Sequence, residues 1–316
     1  MKIVVLESLA VPEDELREIA KPLTDQGHEL ELYEKTDDIE LQKEYIKDAD
    51  ILVIGNMPLV GEVIRSAEKL KYIAVAFTGV DHVDLDACKE KGIQVSNAAG
   101  YATVNVAELV VGLMLALLRD IVALDKVTRE GGTMGGPGQD LRGKTVGVIG
   151  TGAIGYESAK LLLAFGCDVL GYDIVENDEL KEAGVKYLPL DDLMKESDLI
   201  TIHTPLSEST RGLISKEKLE LMKSTAFLIN CARGPIVDND ALAQVLKDGK
   251  IAGAGIDVFD MEPPIPADYP LLSAPNTILT PHIGFFTKEA MVRRAHITFD
   301  ENVAKWIEGD QQNVIL

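Results

Sequence analysis

Positive charge is scarce in this 316-residue chain: 31 lysines and arginines stand against 52 aspartates and glutamates, a formal net charge of −21. Such acidity repels phosphate backbones and anionic lipid, so neither nucleic acid nor a membrane surface is expected as a partner. Any arginine that meets an anionic substrate becomes conspicuous. Cysteine is scarce too. Cys88, Cys167 and Cys231 are odd in number, widely spaced and outside any CxxC, which excludes a disulfide framework and a zinc knuckle and fits a reducing compartment. The longest apolar run, residues 109–118, is ten long, where a membrane-crossing helix takes about twenty. After Lys2 only four apolar residues precede Glu7, too few for a secretory segment. A cytoplasmic location is expected.

What is present is an alternation. Apolar, largely β-branched runs at 2–6, 29–33, 51–54, 72–76 and 93–96 are separated by helix candidates at 13–21, 39–47, 62–68 and 85–91. That order predicts βαβ units and a mainly parallel sheet. A long apolar helix at 104–119 and a glycine-rich loop at 131–138 follow. The alternation then restarts with strands at 145–149, 169–172, 199–203, 226–230, 254–258 and 277–279. A chain that is 46% apolar and this long has material for two cores. The fold class is therefore α/β, with two doubly wound parallel-sheet domains. A flavodoxin-like substrate domain would comprise 1–99 and 283–316, and a Rossmann domain 100–282 would be inserted within it. The last helix, about 288–309, must bury its apolar face on something already built, and is expected to return to the first domain. A cleft between domains is a favoured place for a ligand.

The strand at 146–149 runs into Gly150, Thr151, Gly152, Ala153, Ile154 and Gly155, a GxGxxG followed by a helical pattern. The first glycine permits a tight turn, the second lets backbone approach a pyrophosphate, and the third allows close packing of helix on strand. Unpaired N–H groups at the helix start complete the phosphate site. The next strand ends at Tyr172 and Asp173, where a carboxylate can accept from the adenosine ribose hydroxyls. Asp173 would repel a 2′-phosphate, and Ile174, Val175 and Glu176 offer no arginine to neutralise one. NAD is expected over NADP.

Five histidines limit the choice of a proton donor working near neutral pH. His28 sits in a polar turn and His296 in the terminal helix, where a surface or packing role suffices. His203 ends a strand before Thr204 and Pro205, which suits lining of a cofactor site. His282 follows Thr280 and Pro281 directly after a strand, and either donates a proton or caps loop carbonyls. Arg233 also follows a strand and can grip a carboxylate with both arms of its fork. Glu262, beside Pro263, could hold one imidazole nitrogen and raise the histidine pKa.

These segments carry a resemblance. Residues 148–155, 203–206, the NCARG of 230–234, the GIDVFDMEP of 255–263 and the PHIG of 281–284 are together similar to the D-isomer-specific 2-hydroxyacid dehydrogenases. The resemblance covers nearly the whole chain. It implies that Arg233 binds the substrate carboxylate and orients the 2-carbonyl, that His282 protonates its oxygen, and that Glu262 orients and charges His282. It further implies that Asp257 holds the nicotinamide edge. Ala153, Ile154, Asp173, Thr204, Pro205, Thr210, Cys231 and Ala232 would lie along the cofactor, with Gly150, Gly152, Gly155, Tyr172, His203 and Gly284 in the same lining. Phe77, Thr78, Gly79 and Val80 would offer backbone N–H groups to the carboxylate. No metal is required, and a homodimer is implied.

The segment 97–103, NAAGYAT, reads more like hydroxypyruvate and lactate-type members than phosphoglycerate ones. Hydroxypyruvate or glyoxylate is the first expectation for the substrate, followed by pyruvate and larger 2-keto acids. Glu262 argues against the formate branch, where a glutamine pairs with the histidine. The other reading is a corepressor of the same fold, which holds NAD structurally and acts through partner proteins. Against it, the sequence has no low-complexity tail.

Overall fold

The computed structural model describes every residue except Met134, Glu262 and Pro263. The chain divides into two compact units, one of Met1–Ala102 with Phe286–Leu316, the other Thr103–Phe285.

The first unit is built on five parallel strands: β1 (Lys2–Val5), β2 (Glu29–Leu32), β3 (Ile51–Ile54), β4 (Tyr72–Val75) and β5 (Gln94–Asn97), in the order β2-β1-β3-β4-β5. β3 and β4 read ILVI and YIAV and are buried along their whole length, as strands covered on both faces must be. Only β2, at the edge, keeps glutamates, and it is the least buried. Two of the helices between strands start where an acidic side chain satisfies free N–H groups. Asp38 caps Ile39–Ile46 and Asp84 caps Leu85–Lys91.

The terminal helix belongs to this unit. It is not one regular α-helix. Residues Lys288–His296 are α-helical, Ile297–Val303 widen into a π-helix, and Ala304–Ile307 resume the α form. Arg294, Thr298 and Asn302 make a buried polar stripe along it, 4%, 0% and 0% exposed. Arg294 donates to the Leu9 carbonyl at 2.5 Å, and its guanidinium lies 5.7 Å from the Tyr101 ring centroid. In the helix's last turn Trp306 stacks on Tyr72 at 4.7 Å, and beyond the helix Val314 pairs antiparallel with Ser96. The tail thus covers the open edge of β5, which would otherwise invite pairing with another chain.

The second unit has seven strands: β6 (Thr145–Ile149), β7 (Asp168–Tyr172), β8 (Lys186–Tyr187), β9 (Leu199–Ile202), β10 (Phe227–Asn230), β11 (Gly253–Ile256) and β12 (Thr277–Leu279). Their order is β12-β11-β10-β9-β6-β7-β8, all parallel. The sheets are thus those of two parallel α/β folds, the first flavodoxin-like and the second Rossmann-like. The long helix Thr103–Leu118 packs on helix Ala153–Ala164 and on β10 and β11. The order reverses between β6 and β9, so their carboxyl ends open the crevice where such folds bind a ligand. No helix among the described residues is long and apolar enough to cross a membrane.

Candidate active site

At the carboxyl end of β6 the chain makes a turn that only glycine fits. Gly150 has φ +88°, and a Cβ there would meet the backbone of His203 and Thr204 at 2.8 Å. A Cβ on Gly155 would lie 1.9 Å from the Gly150 carbonyl oxygen. Gly152, by contrast, faces open space. Two glycines therefore draw the helix Ala153–Ala164 onto the strand, while the third clears the approach to the helix start. The N–H groups of that first turn, including those of Ala153 and Ile154, have no partner within the helix.

Tyr172 and Asp173 stand beside this turn because β7 is the neighbour of β6. The Tyr172 carbonyl accepts from the Gly150 N–H at 2.8 Å. One Asp173 carboxylate oxygen accepts from the Thr151 N–H at 2.6 Å and from its hydroxyl at 3.1 Å, and the other from the Ile174 N–H at 2.7 Å. A cavity of about 740 Å³ opens here, lined by Thr151, Gly152, Ala153, Tyr156, Asp173 and Glu176 among others. Asp178 and Glu179 add to its acidic rim. Thr151, Tyr156 and Glu176 were not expected at the site. From the sequence, Glu176 counts only as a position without an arginine, and Thr151 is passed over although it sits inside the glycine motif.

Across the crevice, half-buried His203 ends β9 with its ring 3.0 Å from the Thr201 hydroxyl. Desolvation lowers its pKa to about 3, so the ring is neutral and no proton donor at ordinary pH. The Thr204 hydroxyl is buried without a hydrogen-bond partner, beside the glycine turn. An orphaned hydroxyl, an open glycine and a free helix start fit a dinucleotide. Pro205 and Thr210 close the following loop on themselves, the Thr210 hydroxyl donating to the Pro205 carbonyl at 2.6 Å.

The other expected residues stand at the carboxyl ends of β10, β11 and β12, neighbouring strands about 5 Å apart. After β10, Asn230 bridges its own loop, accepting from the Ala232 N–H and donating to the Arg233 carbonyl, both at 3.0 Å. Cys231 is buried, and burial first, then the Asp257 charge, pushes its thiol far above the usual range. Arg233 is half-buried and donates to the Ala232 carbonyl at 2.8 Å. Gly234 has no room for a Cβ, which would sit 1.9 Å from the Phe259 carbonyl oxygen. The Asn239 amide adds a bond to Asp260 at 2.9 Å. The Arg233 loop is thus fastened to the segment after β11. That segment leads to Glu262, which lies outside the described residues.

Asp257, fully buried after β11, organises the turn after β12. It accepts from the Thr280 hydroxyl at 2.5 Å and from the N–H groups of Ile283 at 2.9 Å and Gly284 at 2.8 Å. Desolvation raises its pKa, opposed by these bonds. Its backbone carbonyl accepts from the His282 N–H at 2.8 Å. Held on both sides, His282 takes a left-handed conformation, φ +55°, rare for a residue with a Cβ. Its ring meets Phe285 edge-on at 5.4 Å. The Asn105 amide donates to the Gly284 carbonyl at 2.7 Å and completes the clamp.

Phe77, Thr78, Gly79 and Val80 follow β4 in the first unit. Phe77 is buried, Thr78 exposed, and Gly79 and Val80 half-buried.

Residues 111–284 match the NAD binding domain of the D-isomer specific 2-hydroxyacid dehydrogenases. The chain is 43% identical over 278 residues to a D-3-phosphoglycerate dehydrogenase of Methanocaldococcus jannaschii, covering 86% of this chain and 52% of that protein. It therefore spans about half the length of that relative. It is 41% identical over 300 residues to a glycerate dehydrogenase of Methylorubrum extorquens, covering 91% of this chain and 92% of the other. Its fold is similar to that of a D-lactate dehydrogenase from Aquifex aeolicus complexed with NAD and lactic acid. There the TM-score is 0.85 and the identity 32%, with 98% and 96% of the two chains covered. The chain therefore belongs to the D-isomer specific 2-hydroxyacid dehydrogenase family, and its second unit carries the NAD-binding domain of that family.

Proposed function

We propose that the protein interconverts a small 2-keto acid and the D-2-hydroxy acid, with hydroxypyruvate or glyoxylate preferred and pyruvate and larger 2-keto acids behind them. The observation that carries this reading is the left-handed His282, clamped by Asp257 two strands from Arg233 at the cofactor edge of the sheet. The glycerate dehydrogenase relative supports a substrate with a hydroxymethyl group.

When bound, NAD exchanges hydride with C2 of the substrate, and the protein's work is to bind, aim and move a proton. Arg233 takes the carboxylate and draws charge onto the carbonyl oxygen as it develops. His282 donates the proton that this oxygen acquires and takes it back in the oxidation. Glu262 orients the imidazole and favours its charged form. The N–H groups at 77–80 also serve the carboxylate. Asp257 supports the nicotinamide edge through the turn it builds. Asp173, with the acidic rim around it, favours NAD over NADP.

We also propose a homodimer in the cytoplasm. Helix Ile121–Arg129 buries none of its residues, and Ile121 and Val122 are 53% and 57% exposed. A second copy of the chain, with the same face, would cover them. The three cysteines are free thiols, as a reducing compartment keeps them.

The test is the purified protein with NADH and a panel of 2-keto acids. Loss of NADH absorbance with hydroxypyruvate or glyoxylate is expected, and none with any acid overturns the reading. Light scattering tests the dimer, and a mass near the 34.3 kDa of one chain counts against it.

A further inference from the structure

Within the first unit, the Phe77 carbonyl accepts from the Ala98 N–H at 3.0 Å, and the next carbonyl, that of Thr78, accepts from the Asn97 side-chain amide at 2.7 Å. In an extended strand successive carbonyls point to opposite sides. Here two in a row are turned toward the same neighbouring segment. In a trans peptide the N–H opposes the C=O, so the N–H groups of Thr78 and Gly79 turn together to the other side. Successive N–H groups facing one way form an anion-receiving concavity.

Asn97 is itself gripped from the C-terminal segment. Its N–H donates to the Asn313 carbonyl at 3.1 Å, and its carbonyl accepts from the Asn302 side-chain amide at 2.8 Å. The Asn313 amide in turn reaches the Asn302 oxygen at 2.8 Å. Asn302 is fully buried on the π-helical stretch, which sets the face it presents.

We infer that Asn97 and Asn302 are positioning residues for substrate: Asn302 fixes Asn97, and Asn97 aims the Thr78 and Gly79 amides at the substrate carboxylate. The inference rests on the proposed 2-keto acid chemistry. Its test is Asn97→Asp in the full-length protein, an isosteric change that removes the donor to Thr78. Oxamate, a carboxylate-bearing 2-keto acid analogue that takes no hydride, is titrated against the protein–NADH complex, alongside KM, kcat and the NADH Kd.

The expected result is an oxamate Kd and a keto-acid KM raised about tenfold or more, a smaller fall in kcat, and an unchanged NADH Kd. Asn302→Asp should move the same constants in the same direction by less, and it decides the matter if Asn97→Asp does not fold. A purely structural role would lower the melting temperature and leave KM and oxamate affinity where they were. Oxamate binding within twofold of wild type in both variants overturns the inference alone. A wild type that binds NADH but neither binds oxamate nor reduces any 2-keto acid overturns it together with the proposed activity.

Discussion

Asp257 holds His282 in place through the backbone: the backbone carbonyl of the first accepts the N–H of the second at 2.8 Å, and the Asp257 carboxylate secures the two residues that follow. The position, not just the imidazole, is therefore a product of the fold. His282→Gly and His282→Ala should both lose turnover by about 10²–10⁴-fold with NADH affinity unchanged. Glycine enters the left-handed region freely, so the glycine variant should be the more stable of the two by about 1 kcal/mol. Thermal melts and steady-state kinetics check this, and wild-type turnover in either variant refutes the proton-donor role.

The Arg233 loop depends on a contact that leaves no space. Gly234→Ala must push the Phe259 carbonyl away, at a cost of about 1–3 kcal/mol for overpacking, and should displace the guanidinium with it. We expect kcat/KM to fall at least as far as in Arg233→Lys, which keeps the charge but loses the planar fork. In Arg233→Lys both a higher KM and a lower kcat are expected, because the proposed carboxylate contact would be made before and during reaction. A change in kcat alone would point to a remote role.

Asp173, proposed to favour NAD, is also bonded within the protein. Asp173→Ala frees the Thr151 N–H and hydroxyl and should weaken NADH by about tenfold or more, of order 1.4 kcal/mol. It should not create tight NADPH binding, because Glu176, Asp178 and Glu179 still line the cavity. Fluorescence titration with both nucleotides decides; NADPH affinity rising to the wild-type level for NADH would contradict the acidic-rim argument.

For His203, desolvation brings the folded pKa down to about 3, below the ordinary histidine value of 6.5. A lowered pKa favours the neutral ring, so the contribution to stability is present above 6.5 and drains as pH falls from 6.5 toward 3. The slope is at most one proton, about 1.4 kcal/mol per pH unit. His203→Gln has no such proton to take up. Its melting temperature relative to wild type should therefore rise as pH drops from 7 to 5, and a constant difference would refute the assignment.

The alternation of β-branched runs with amphipathic stretches was enough to read two parallel sheets, since nearly every buried strand is an uninterrupted apolar run. β8 escaped because Lys186 and Tyr187 are too few to show a period. Helix Ile121–Arg129 escaped because a helix that buries nothing leaves no core stripe to find. The glycine turn and Asp173 were legible since their partners lie within one βαβ unit. The threefold engagement of Asp257 was not. Its partners at 280–284 come from the next strand, and the sequence suggested only a contact with nicotinamide. Asn97 and Asn302 are further apart still, and the π-helical stretch between His296 and Ala304 leaves no mark on the apolar pattern of 288–309.

The single tryptophan in the sequence is Trp306, stacked on Tyr72 and bonded through its indole N–H to Gln94 at 2.7 Å. All three belong to the first unit, so intrinsic tryptophan emission is a private signal of that unit, while far-ultraviolet dichroism sums both. Denaturant titrations followed by the two probes would coincide if the chain unfolds as one, and separate if the halves melt independently. Adding NAD, which binds the second unit, then becomes a way to ask whether one half stabilises the other.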